Sequence, residues 1–170
     1  MMIYVWTMIL CLTASPLFAE TIGNVEYYLP SHGQGWKIGN DLQTSGNRVS
    51  TTIIYIPENA SRKDSKEFFG VHTSNMQCEG FDKAILEKTM QNQFPKQQVS
   101  VNVLETDSDS VLFEWIVRQT SREKKHGWTR MFAHKSGTIL LVYETLDIAS
   151  VKTMGPIWVD VLKKAKLAKN

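Results

Sequence analysis

The residues best able to do chemistry in this chain are a pair of glutamates, one cysteine of the folded region and four histidines. Glu114 falls in the apolar-rich run Val111–Gln119, and Glu144 falls in the run Thr138–Leu146. If both runs are strands of one sheet, the two carboxylates can line a single charged groove together with Arg118. A carboxylate pair is the machinery of glycoside hydrolysis, where one acid protonates the leaving group and its partner acts as base or nucleophile. The same residues also suit plain cross-strand ion pairs on a half-exposed sheet. Cys78 comes just before Gly80–Phe94, a segment whose spacing predicts a helix. A thiol at a helix N-terminus is more readily ionised and more nucleophilic. It still needs a base, or a second cysteine to resolve a disulfide, and the sequence around Cys78 supplies neither, so it reads more simply as a free thiol. His32, His72, His126 and His134 form no i, i+4 pair and no His-Glu-x-x-His pattern. The chain therefore carries no metal-ligand spacing and no cofactor motif. A small secreted hydrolase using Glu114 and Glu144, or Cys78, is the alternative reading. The main reading is a non-catalytic binding or accessory protein.

Two stretches suggest how such a protein meets a ligand. Arg118, Arg122, Lys124, Lys125, His126 and Arg130 gather in and around Thr120–Gly127, opposed by Glu123. As a hairpin end they make a basic finger for an anionic surface or an acidic partner. The plainer alternative is a solvated turn, charged as sheet ends often are to discourage strand addition. The loop Ser31-His32-Gly33-Gln34-Gly35-Trp36 has two glycines but no Lys-Ser/Thr and no helix behind it, so it is not a phosphate loop. It either presents His32 and Trp36 to a ligand or is a wide connection whose indole turns into the core. Asn59-Ala60-Ser61 is a sequon, meaningful only in a glycosylating pathway. The C-terminal Lys163, Lys164, Lys166 and Lys169 complement a helix C-terminal dipole.

The elements that must position these residues follow from periodicity. In Val111–Gln119, Val111, Phe113, Trp115 and Val117 share one side, with Glu114 and Arg118 on the other, as a half-buried strand requires. With Trp128–Ala133 and Thr138–Leu146 it predicts a three-stranded antiparallel meander. The second turn is His134-Lys135-Ser136-Gly137, whose glycine supplies permissive backbone. Further strands are expected at Val25–Leu29, at Val49–Ile56 (stopped by Pro57) and at Val99–Leu104. Ile38–Ile56 reads as strand, turn and strand. Ser61 with Asp64 predicts one helical turn within Asn59–Gly70, followed by an extended piece at Phe68–Thr73. Phe81, Ile85, Leu86, Met90 and Phe94 form the apolar stripe of a helix ended by Pro95. A second helix runs from Ser150 to about Lys166, and Pro156 should kink it or start it. Both helices are expected on one face of the sheet, burying Trp115 and Trp158.

Residues 1–19 contain no charged side chain, and Ile3–Leu12 is an apolar run broken at Pro16. Leu17-Phe18-Ala19 then fits a signal-peptidase site. The run is short for a bilayer span, so no transmembrane segment is expected once the signal is removed. The reading is residues 1–19 as signal peptide and 20–170 as a single domain, exported to the periplasm or secreted. Removing 19 of 170 residues leaves 151, enough for one real core. The net charge of +2 is too mild to indicate a nucleic-acid partner. Only Cys78 remains after cleavage, so no internal disulfide forms and packing alone must stabilise the fold.

Antiparallel strands with packed helices make an α+β fold. Glu26-Tyr27-Tyr28-Leu29-Pro30, Gly35-Trp36 and the strand end Tyr55-Ile56-Pro57, followed by helix, meander and helix, resemble the PsbP-like family. The resemblance covers most of residues 25–167 and implies an α/β/α sandwich. It also implies an accessory or binding role without catalysis; it transfers no site residue. Export has a direct test. Intact-mass measurement of protein from its native host should give a species beginning at Glu20, and retention of residues 1–19 or acylation at Cys11 would refute cleavage there.

Overall fold

Alternation of apolar and polar side chains from Gln98 to Thr145 produces a continuous antiparallel run, and the rest of the chain is arranged around it. In the computed structural model, residues 19–22, 25–30, 35–44, 49–120 and 122–168 are described. The expected leader lies outside them except for Ala19, and so does His32. The strands are β1 Ala19–Ile22, β2 Val25–Tyr28, β3 Trp36–Thr44, β4 Ser50–Pro57, β5 Glu67–Ser74, β6 Gln98–Thr106, β7 Ser110–Gln119, β8 Arg122–His134, β9 Gly137–Thr145 and β10 Lys166–Leu167. The helices are α1 Lys83–Gln93 and α2 Val151–Lys164, the latter preceded by a 3-10 turn at Ile148–Ser150. This is a sheet-rich α+β fold.

Seven strands form one sheet in the order β3-β4-β5-β9-β8-β7-β6, every neighbouring pair antiparallel. A second, three-stranded sheet has the order β1-β2-β10. The meander is β7-β8-β9, as expected, but its strands are longer than the sequence suggested. Thr120–Gly127, expected as a polar connection, is mostly strand: β8 begins at Arg122, and the chain reverses at Thr120, which has φ 60°. The second turn, Lys135–Ser136, closes on Gly137 at φ 141°, and a Cβ there would run into the Ser74 backbone. Only glycine serves at that position. The turn expected at Ser61 forms as well. Ser61 accepts from the Ser65 amide at 2.8 Å, and its hydroxyl bonds Asp64 at 2.5 Å, before the chain extends into β5.

Directly paired residues of antiparallel strands share a face, which divides the core in two. Val101, Val111, Phe113, Trp115 and Val117 pack with Leu86 and Met90 of α1. Leu112, Trp128, Phe132, Leu141, Tyr143 and Phe69 pack with Trp158 and Leu162 of α2, and β2 joins them through Val25 and Tyr27. The two helices therefore lie on opposite faces, which overturns the expectation that both cover one. The stripe on each helix is real, but a helical stripe names no face of a sheet. Both indoles are buried, as expected: Trp115 is 2% exposed and Trp158 0%.

Glycines make room for two of the large rings. Trp115 lies across Gly127, its partner on β8, where a Cβ would overlap the indole and come within 2.8 Å of the Tyr143 carbonyl oxygen. On the other face, Trp128 sits beneath Gly155 of α2, where a Cβ would approach the indole to 2.8 Å. Pro156 follows inside α2 instead of starting it. That costs the bond to the carbonyl four residues back, a loss tolerated because the helix is anchored by Trp158. Tyr143 stacks on Trp158 at 4.2 Å and 12°, Phe69 at 5.1 Å and 20°, and Trp36 meets it edge-on at 5.3 Å. Trp158→Ala should cost roughly 3–5 kcal/mol in denaturant unfolding, as truncation of a buried aromatic does. A loss below about 1 kcal/mol would mean that the indole does not anchor the helix.

Candidate functional site

Glu114 and Glu144 do not face one groove. Glu114 pairs with Trp128, on the α2 face, whereas Glu144 pairs with Gly127, on the α1 face. The sheet lies between them, which removes the proposed carboxylate pair. Each acid is engaged elsewhere: Glu144 takes the Lys125 ammonium at 3.0 and 3.2 Å, and Glu114 bonds His126 Nε2 at 2.7 Å.

His126 is 5% exposed and held from both sides. Its Nδ1 meets Glu123 Oε1 at 2.6 Å, and its ring stacks on Trp128 at 4.6 Å. Glu123 and His126 are three residues apart, an odd number that would normally put them on opposite faces. The register shifts by one between Val117 and Arg118, leaving Lys124 as the extra residue of a bulge, and this brings Glu123 onto the face of His126. Both ring nitrogens are occupied, each by a carboxylate. The cluster ties the ends of β7 and β8 together.

The six residues of the expected basic finger are dispersed. Arg122 and Lys124 are exposed at the hairpin end. Arg118 bonds Ser100 at 3.0 Å, Lys125 is spent on Glu144, and His126 is enclosed by acids. Arg130 lies far along β8, 5% exposed, on the α2 face. There it clamps the β6–β7 turn, donating to Glu105 at 2.7 Å, Asp107 at 2.5 Å and Ser110 at 2.8 Å. That guanidinium holds the Glu105 carboxyl below the usual range, assisted by Lys163. Of the loop residues, Trp36 packs on Trp158 and belongs to the core, while His32 is outside the described residues. Cys78 is not at a helix N-terminus, because α1 starts at Lys83. Its thiol is half-buried and closes a turn on Gly80, donating to the carbonyl at 3.2 Å and accepting from the amide at 3.4 Å.

What sequence reasoning missed is a cleft. Helix α1 spans β6 and β7 and leaves the β9–β5 part of that face open. Between the helix and the open part lies a cavity of about 450 Å³. Its walls are Leu86 and Met90 from α1, Trp115 from β7, Met131 from β8, and Leu140 and Val142 from β9; Cys78 lies at its border. That size and apolarity are characteristic of small-molecule sites. The signal in the sequence was the pair Leu140 and Val142. They alternate with the buried Ile139, Leu141 and Tyr143, so β9 is apolar on both faces although, among the described residues, its second face is only half-buried, with Val142 packed at the edge of the α1 cluster.

His72 is one of the polar side chains that line this cleft. Its Nδ1 bonds Thr52 Oγ1 at 2.7 Å, and burial lowers its pKa, so the ring is neutral at pH 7. On the opposite face, burial first and the facing Glu67 carboxylate second push the Tyr143 phenol upward, so it too is neutral, donating to Glu67 at 3.2 Å.

No family model matches this chain, and no curated protein matches it by sequence. Among solved structures, the solution structure of cyanobacterial PsbP (CyanoP) from Synechocystis sp. PCC 6803 is similar. The TM-score is 0.59 over 88% of this chain and 90% of that one, at 12% identity. The PsbP-like resemblance read from the sequence is thereby shown, as a likeness of fold.

His72 also makes stability depend on pH. Its pKa is lower folded than unfolded, so the unfolded chain binds the proton more tightly and acid favours unfolding. The contribution should be fully present above about pH 6.5 and shrink as pH falls below it. Urea midpoints for the wild type and His72→Gln, measured at several pH values, should show the variant losing less on acidification. Parallel losses would contradict the assignment.

Proposed function

We propose that this is an exported, non-catalytic binding or accessory protein whose recognition site is the cleft between α1 and the β9–β5 part of the sheet. Its two core clusters, one under each helix, suit an α/β/α sandwich, and Leu17-Phe18-Ala19 supports export to the periplasm or beyond. The observation that carries the reading is the cleft: an apolar cavity of ligand size left open by the helix that should cover it. The fate of the candidate catalytic residues supports it. The acids are separated by the sheet, the thiol is folded onto its own turn, and each ring nitrogen of His126 is bonded to a carboxylate. An anionic surface is the weaker choice of partner, since only Arg122 and Lys124 of the basic group are both exposed and unpaired by the salt bridges described.

Native mass spectrometry of protein recovered gently from its host tests this. The wild type should carry a non-covalent adduct that Leu140→Trp, which fills the cleft, does not. An adduct held equally by both proteins would place binding elsewhere, and protein that neither carries nor takes up any small molecule would remove the reading.

A further inference from the structure

We infer that the ligand of this cleft is an uncharged, largely hydrocarbon molecule bearing one hydrogen-bonding oxygen, with the chain against the methionine-rich wall and the oxygen at His72. This rests on the cleft being the recognition site and adds the chemical class of what enters it.

The charges on the lining carry the argument. Among the described residues, the ionisable groups that line the cavity are His72, Cys78, Glu79 and Glu144, with no lysine or arginine. Lys125, whose ammonium meets the lining residues Glu144 and Phe94, is already committed to both oxygens of Glu144 and lies 5.6 Å from the Phe94 ring centroid. A carboxylate or phosphate brought into the cleft would face acids and find no free cation, and would lose its hydration without replacement. An ammonium fares little better. Glu144 is already paired, and Glu79 is exposed, so a charge there is screened by solvent and adds little to binding. The neutral case meets no such cost.

The interior then determines shape and polarity. Met76, Met90 and Met131 line the cavity, and unbranched thioethers adjust to a chain of variable outline. Trp115 closes the base, but its Nε1 already donates to Thr129 at 3.0 Å, so the indole offers a surface and no donor. His72 differs. Thr52 takes Nδ1, and among the described residues Nε2 has no hydrogen-bond partner. A neutral imidazole can donate or accept there according to its tautomer, which suits a hydroxyl or carbonyl oxygen.

The test is displacement of Nile red, an uncharged apolar dye, from the purified mature chain by decan-1-ol, decanoate and decylammonium below their aggregation concentrations. Decanol should displace the dye at least tenfold more effectively than either ion. His72→Phe keeps the ring and removes the hydrogen bond, so it should weaken decanol about 2- to 10-fold. Gln93→Lys places a cation on the exposed rim without touching the core, and it should shift the preference toward decanoate. Saturable dye binding with decanoate or decylammonium equal to decanol would overturn the ligand class and leave the cleft standing as a binding site. So would a His72→Phe protein with unchanged decanol affinity. Absence of any saturable dye binding would overturn the class and the binding reading together.

Discussion

Burial of one indole organises the larger core. Trp158 reaches from α2 onto Tyr143 of β9 and Phe69 of β5 and meets Trp36 of β3 edge-on, so one side chain touches three strands that are far apart in sequence. Aromatic contacts of this kind contribute beyond the area they bury. With no disulfide available among the described residues, such packing must hold the helix to the sheet. The rest of that face follows from it. Gly155 is needed so that α2 can approach Trp128, and Tyr27 joins the same cluster, its hydroxyl 2.9 Å from that of Tyr55.

The second face works differently. Helix α1 is short and covers β6 and β7, and Trp115 across Gly127 marks where its cover stops. Beyond that line the sheet still carries Leu140 and Val142, and the cleft is the difference between the width of the sheet and the width of the helix. The asymmetry separates a face that is filled from a face that is left partly open. It also explains why the polar chemistry looks scattered. His126 and Arg130 serve the filled face as ties, while His72 stands where the cover is missing.

Most of the strands and both helices were legible because their periodicities are strong. Val111, Phe113, Trp115 and Val117 alternate without a break, and Val151, Met154, Trp158, Val161, Leu162 and Ala165 fall at helical spacing. Two things were not legible. Periodicity along one segment does not say which face of a distant strand it meets, so the placement of α1 and α2 could not be read, nor could the separation of Glu114 from Glu144. A bulge, moreover, changes parity at one residue without leaving a mark in composition. Lys124 looks like one more charge in a polar stretch, and yet it decides that Glu123 faces His126. Trp36, read either as presented to a ligand or, more simply, as turned into the core, packs edge-on against Trp158.

Both free edges of the large sheet are irregular. In β3 the pairing slips between Ile38 and Asn40, and in β6 it slips between Val103 and Glu105. An incoming strand can grow along an edge only while donors and acceptors keep their alternate spacing, and each slip interrupts that spacing within the strand. The edge β3 nevertheless exposes Ile38 and Leu42, apolar residues that would favour such growth. The irregularities thus act as colloidal protection. They allow the chain to keep apolar side chains on an open border without that border becoming a template for fibres.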